Sequence, residues 1–279
     1  MNYQLLCVDL DGTLLDERKQ LPEENCASIH QAWKAGIEIC IASGRGSVSG
    51  RTYLEKMGVT GSVVALNGGH VVCHGREIYR AEMTWRVIEP ILKLAEEMKL
   101  LCYFNTGEKT LTVNEEETSI QKRLKEDFKL SKGYQAETIE SLRQKVRSRQ
   151  ESIVKISIRE DEPARLEEIR EKVTNRVDAK VAKSDVNYLD IFPTGQSKWT
   201  GIEKLLDCLK IPAKNCVCFG DNENDREMLE QAGLGIAMGN AEQDLKTKAD
   251  FVTRNNQECG VAYGIHTWVL GNMRSQRIS

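Results

Sequence analysis

The chain reads as an α/β protein: a Rossmann-like, doubly wound parallel-sheet core carrying an inserted α+β domain. Three observations lead there. Short apolar runs alternate with amphipathic stretches over the first 75 residues, hairpin-like runs replace that alternation from about residue 81, and the alternation returns after Pro193. Strand and helix in strict succession imply βαβ units, with helices on both faces of a parallel sheet. The two α/β ends are expected to form one core, residues 1–80 and 190–279, with 81–189 as a separate inserted unit.

In order, "YQLLCVD" reads as a strand and "PEENCASIHQAWKAGI" as a helix, with Pro22 suited to its first turn and Gly36 to its end. "EICIASG" is a strand, "GSVSGRTYLEKMGV" a helix, and "SVVALNGG" with "HVVCHG" two strands joined at Asn67-Gly68-Gly69, a strong turn signal. In the insert, "TWRVIEPILKLAEEMKL" is an amphipathic helix, and "LCYFNTG" and "KTLTVN" pair around Gly107. A charged helical stretch runs from about Glu115 to Phe128. "SIVKISIR" alternates as a strand, "PARLEEIREKVTNRV" is a helix, and "AKVAK" and "NYLDIF" are two more strands. The basic run Arg143 to Arg149 reads as a solvated helix face or loop. Beyond Pro193 come helix "SKWTGIEKLLDCL", strand "NCVCFGD", helix "ENDREMLEQAG", strand "LGIAM", a helix, strand "FVT" and a last helix.

With 279 residues the chain can bury a substantial core, and its formal charge of -3 leaves no electrostatic footprint for nucleic acid. No run approaches a membrane span, and no basic region precedes an apolar one at the N-terminus. Nine cysteines without a framework spacing read as free thiols, with Cys7, Cys40, Cys216 and Cys218 inside apolar runs. The expectation is a cytoplasmic protein without an obligate protein partner.

The chemistry gathers at strand ends, where open α/β sheets bind ligands. The first strand ends in Asp9 and Asp11. "ICIASGR" delivers Ser43, Gly44 and Arg45 to the same rim, a hydroxyl and free backbone N–H groups suited to a phosphate oxygen. "CVCFGDNEND" delivers Asp221, Asn224 and Asp225, and Lys198 opens the helix after "PTGQS". Two carboxylates about 4 Å apart repel by about 4 kcal/mol at an effective dielectric of 20. Lys198 alone cannot offset several of them, so a divalent cation is implied, and oxygen ligands suit Mg²⁺. One aspartate can then attack phosphorus, while the other serves as acid and base for the leaving oxygen and for water.

These residues resemble the motifs of the haloacid dehalogenase (HAD) superfamily of phosphotransferases. Four motifs occur in order: Asp9-x-Asp11-Gly12-Thr13-Leu14-Leu15-Asp16, then Ser43-Gly44-Arg45, then Lys198, then Gly220-Asp221-x-x-Asn224-Asp225. An insert between the second motif and the lysine resembles the type IIB cap of the Cof-like sugar-phosphatase branch, as do "LNGGHVV", "NYLDIFPTGQSKWTGI" and "ADFVTRNNQECGVAYGI". The resemblance implies Asp9 as nucleophile and Mg²⁺ ligand. It implies Asp11 as acid/base with its backbone carbonyl on the metal, and Ser43, Gly44, Lys198 and Asn224 as phosphate contacts. Asp221 would be the third protein ligand, and Asp225 a ligand through water or a partner orienting Lys198. Gly69-His70 and Thr194, Gln196 and Trp199 depart from the usual pattern, away from the chemistry. His70 and His74 are expected to be ordinary hairpin residues, with His70 near the rim.

The reading is a Mg²⁺-dependent phosphatase of small phosphorylated metabolites, a sugar phosphate, nucleotide or coenzyme phosphate. Its cap would close on hinges near Arg80 to Thr84 and Val186 to Pro193, and loops around Phe104 to Lys109 and Lys183 to Asn187 would set specificity. The rivals are a phosphomutase on the same scaffold and a non-catalytic sensor of a phosphate ligand. The paired aspartates count against the sensor, which gains nothing from a second carboxylate beside phosphate.

Overall fold

Leu5 to Val8 is apolar at every position, and such a run suits a strand covered on both faces. In the computed structural model, which describes residues 3–114 and 133–271, this run is β1 (Leu5–Val8), and all four side chains are buried. The chain divides into two compact units, Met1–Tyr79 with Ser197–Ser279 and Arg80–Gln196.

In the first unit β1 is followed by α1 (Glu23–Lys34), β2 (Glu38–Ala42), α2 (Ser47–Lys56), β3 (Ser62–Ala65), β4 (His70–Cys73) and β5 (Arg76–Arg80). The second unit holds α3 (Trp85–Met98), β6 (Leu101–Asn105), β7 (Thr110–Val113), β8 (Tyr134–Ala136), α4 (Ile139–Arg147), β9 (Lys155–Arg159), α5 (Pro163–Thr174), β10 (Lys180–Asp185) and β11 (Tyr188–Phe192). The first unit then resumes with α6 (Lys198–Leu209), β12 (Cys216–Gly220), α7 (Arg226–Gln231), β13 (Leu234–Ala237), α8 (Gln243–Lys246), β14 (Phe251–Val252) and α9 (Gly260–Gly264).

The first unit's eight strands form one sheet in the order β14-β13-β12-β1-β2-β3-β4-β5. Pairing is parallel from β14 across to β3, and β4 turns back antiparallel on β3 through the Asn67 turn. The central strand thus joins the two ends of the chain, with Cys7 opposite Cys40 on one side and Cys218 on the other. Those thiols pack on the face that also buries Trp199, Ile202 and Leu205 of α6. The Cys216 Sγ touches the sulfurs of Cys7 at 3.8 Å and Cys218 at 3.7 Å. All nine cysteines are free.

The second unit is a six-stranded sheet in the order β10-β11-β9-β6-β7-β8. Alternation along β6, β9 and β11 sends Cys102, Phe104, Ile156, Ile158, Leu189 and Ile191 into a core shared with Ile88, Ile91 and Leu92 of α3 and Ile169 of α5. The opposite face is polar, and on it Asp190 stands beside Ser157, which stands beside Tyr103. The basic run belongs to α4 and the turn after it, where Arg143 contacts Glu89, Glu96 and Glu140. Strands β5 and β8 were not anticipated from sequence: β5 has no buried side chain and β8 is exposed at all three positions. Without a buried face, neither shows the apolar alternation that marks a strand. The helical stretch expected from Glu115 to Phe128 lies outside the described residues. Among the described residues no helix is long and apolar enough to cross a membrane.

Candidate active site

Asp9 follows β1 directly, and its backbone N–H extends the ladder by donating to the Phe219 carbonyl of β12 at 3.1 Å. Its carboxylate is buried. Lys198, at the first position of α6, donates from Nζ to Asp9 Oδ1 and to Asp225 Oδ1, both at 2.6 Å. A cation at a helix N-terminus opposes the helix dipole, so the two carboxylates offset both that and the burial of the ammonium. The α6 start is held by a capping box between Ser197 and Thr200. It is also held by its closeness to Gly68, where a Cβ would lie 1.8 Å from the Ser197 carbonyl oxygen.

After β12 the chain turns so that Asp225 Oδ2 accepts the backbone N–H groups of Asp221 and Asn222, at 3.0 and 3.1 Å. Both oxygens of Asp225 are therefore engaged, one by Lys198 and one by its own loop, which is the geometry of a side chain that orients the lysine. Thr13 Oγ1 donates to Asp221 Oδ1 at 2.7 Å. Gly12 makes the approach possible: at φ +83° it carries no Cβ, and one there would lie 2.2 Å from Asp221 Oδ2. Thr13 was absent from the expected set because hydroxyls are common beside turns.

Asp11 points elsewhere. Arg45 holds it bidentately, Nε to Oδ2 at 2.7 Å and Nη2 to Oδ1 at 2.6 Å, and Lys19 Nζ adds a contact to Oδ1 at 2.7 Å. Burial raises the Asp11 pKa, but the hydrogen bonds and charges of Arg45, then of Lys19, outweigh it and hold the carboxyl below its ordinary value. That favours the ionised form, the one that accepts a proton, so the arrangement suits the base half of an acid/base cycle.

Ser43 is buried at the end of β2, its Oγ accepting the Arg45 backbone N–H at 3.2 Å. Gly44 lies against Asn67, whose Oδ1 would be 3.2 Å from a Cβ at position 44. The same Asn67 Oδ1 accepts Asn224 Nδ2 at 3.0 Å. Asn67 thus ties the second motif to the fourth, from a left-handed turn at φ +53°. Sequence reading took it only as part of a turn, and the left-handed preference of Asn-Gly was the available signal. His70 is fully buried with Nε2 on Glu77 Oε2 at 2.6 Å, while His74 pairs with Glu38 at 3.0 Å, so the two imidazoles take different partners.

Oxygens of Asp9, Asp221 and Asp225 all lie within 4.8 Å of one another. Burial pushes the Asp9 carboxyl well above its ordinary value, Lys198 pulls it down, and Asp225 and Asp221 push it up again. Burial, then the charge of Asp225, raises Asp221 to about 6. Burial lowers the Lys198 pKa, but Asp225 and Asp9 outweigh it and raise it above its ordinary value. Three carboxylates against one ammonium leave an excess of negative charge on hard oxygen donors. That excess suits a divalent cation of the Mg²⁺ type.

A family model described as haloacid dehalogenase-like hydrolase matches residues 6–265. Phosphatase YwpJ of Bacillus subtilis is 27% identical over 281 residues, spanning 93% of this chain and 98% of its own. The 5-amino-6-(5-phospho-D-ribitylamino)uracil phosphatase YitU of the same organism is 27% identical over 274 residues, spanning 92% and 94%. Among solved structures, a haloacid dehalogenase-like hydrolase from Bacteroides thetaiotaomicron superposes with a TM-score of 0.82 at 26% identity, covering 95% of this chain and 99% of that one. The family match begins within the strand that leads to Asp9 and runs past the last core strand, and the chain therefore belongs to the haloacid dehalogenase-like hydrolases.

Proposed function

We propose that this chain is a Mg²⁺-dependent phosphatase of small phosphorylated metabolites, working through an aspartyl-phosphate on Asp9. The observation that carries the reading is the three-carboxylate, one-ammonium cluster at the ends of β1 and β12. Relatives named as phosphatases over nearly their full length support it, one of them named for a phosphorylated ribityl compound. Asp9, Asp221 and, through its loop, Asp225 would hold Mg²⁺, which would supply charge neutralisation for a phosphate dianion in an acidic pocket.

In this reading an Asp9 oxygen attacks phosphorus and the ester P–O bond breaks, the leaving alcohol taking a proton from Asp11. Water then attacks phosphorus of the aspartyl-phosphate, giving a proton to Asp11, while the bond from phosphorus to the Asp9 oxygen breaks, freeing the Asp9 carboxylate and inorganic phosphate. Lys198 favours the ionised form of Asp9 and holds it correctly turned, and it stabilises charge on the phosphoryl oxygens. Ser43, Gly44 and Asn224 would hold the remaining oxygens, with Asn67 fixing Gly44 and Asn224 relative to each other. Arg45 and Lys19 favour ionised Asp11, the form that activates water, so their contacts have to loosen for the first step. Residues 80–196 would select the substrate, and nine free thiols fit a reducing cytoplasm.

The test is phosphate release from a panel of sugar phosphates, nucleotides and coenzyme phosphates. Asp9→Asn is expected to lower kcat by roughly 10³-fold or more, since an amide is a poor nucleophile. Chelation should abolish turnover and Mg²⁺ restore it, with Ca²⁺ restoring it poorly. Wild-type rates in Asp9→Asn, or full turnover in chelator, would end the corresponding part of the proposal.

A further inference from the structure

The turn that follows Leu15 holds Lys19 at φ +59°, a left-handed conformation that asparagine or glycine adopts more readily. The turn enforces it. The Asp16 N–H donates to the Gln20 carbonyl at 3.0 Å, the Gln20 N–H to Asp16 Oδ1 at 2.7 Å, and the Lys19 N–H to the Asp16 carbonyl at 3.0 Å. The turn thereby sets where the Lys19 side chain leaves the backbone. Its Nζ lies 2.7 Å from Asp11 Oδ1.

Asp11 does not need that contact. Arg45 already spans both of its oxygens, so Oδ1 accepts two donors and would keep one if Lys19 left. The Lys19 side chain is 59% exposed against 27% for Arg45. One carboxylate therefore faces two cations, and the second is the more exposed one.

We infer that Lys19 is a specificity-determining residue that favours phosphate monoesters carrying a second anionic group, a carboxylate or another phosphate, close to the ester oxygen. The inference rests on the phosphatase reading, in which Asp11 stands beside the leaving alcohol. Lys19 turns from Asp11 to the second anion and makes a charge-assisted hydrogen bond there, while a neutral leaving group offers it no such partner.

The experiment compares kcat/KM for matched esters, 3-phosphoglycerate against glycerol 3-phosphate and a sugar bisphosphate against its monophosphate, in wild type, Lys19→Asn and Lys19→Arg. Asparagine tolerates the left-handed backbone, so it removes the charge and keeps the turn. The ratio of second-anion to neutral ester should fall about ten-fold or more in Lys19→Asn, chiefly through KM, and recover in Lys19→Arg. A response in only one pair identifies which second anion is recognised. A ratio unchanged in both pairs, including an equal loss on both esters, overturns the inference. The same ratio read as dissociation constants by calorimetry in an Asp9→Asn background judges Lys19 without turnover. Absence of phosphate release therefore counts against the phosphatase reading alone.

Discussion

Among the described residues each unit buries one lysine, and the two sit in opposite charge balance. In the second unit Lys155 Nζ meets Asp190 Oδ2 at 2.8 Å, and Ser157 Oγ donates to the other oxygen at 2.7 Å. The anion has a cation on one oxygen and a hydroxyl donor on the other. In the first unit Lys198 is shared by Asp9 and Asp225, with Asp221 close by. The balanced pair is complete as it stands. The unbalanced one has more anion than its lysine neutralises, and that excess is what a bound cation would relieve. A buried charge becomes a pointer to chemistry when its count fails to close.

The comparison can be broken first where the effect is largest. Lys155→Met should destabilise the protein by about 3–5 kcal/mol, because Asp190 is left buried and unpaired. Urea unfolding measures it, and a loss below about 1 kcal/mol would mean that Asp190 reaches water on its own. At the unbalanced site the sign reverses. Asp221 titrates near 6 in the fold, above its ordinary value near 4. A carboxyl raised by folding costs stability above the folded pKa, and the cost fades as the pH falls through about 6 toward 4. Metal-free Asp221→Asn should thus be more stable than wild type by ~2 kcal/mol at pH 7.5, with the gap closing by pH 4. Saturating Mg²⁺ at pH 7.5 should reverse the order, since only wild type keeps the full ligand set. Thermal unfolding across pH and metal reads both. The smallest effect belongs to Lys155→Met with Asp190→Leu, which should cost under about 1 kcal/mol or stabilise, because nothing charged is left behind.

How far the sequence carries depends on whether a residue acts where it stands. Asp9, Asp221 and Lys198 were legible because each sits at a strand end or a helix start, where the local pattern already says which way the rim lies. Asn67 was not, since its partner Asn224 lies 157 residues away and only the sheet order brings them together. The clamp on Asp11 was missed for another reason. Arg45 was placed at the rim without a partner and Lys19 looks like an ordinary surface cation, and their convergence depends on a left-handed turn and a guanidinium angle. In the second unit the strand "SIVKISIR" was readable, but Lys155 finds its partner through the pairing of β9 with β11, which periodicity does not specify.

The central strand carries one further consequence. β1 pairs on one side with β2, close in sequence, and on the other with β12, which begins at Cys216. Lys198 likewise reaches Asp9 across 189 residues of chain. At ribosomal speeds roughly 10–40 s separate the emergence of β1 from that of β12. All of residues 80–196 leaves the ribosome in that interval, and it is free to form its own core while β1 still has an open edge. The nascent chain can therefore hold a folded second unit before the pocket around Asp9 exists, and an exposed β1 edge is the price of building one domain from both ends of a chain.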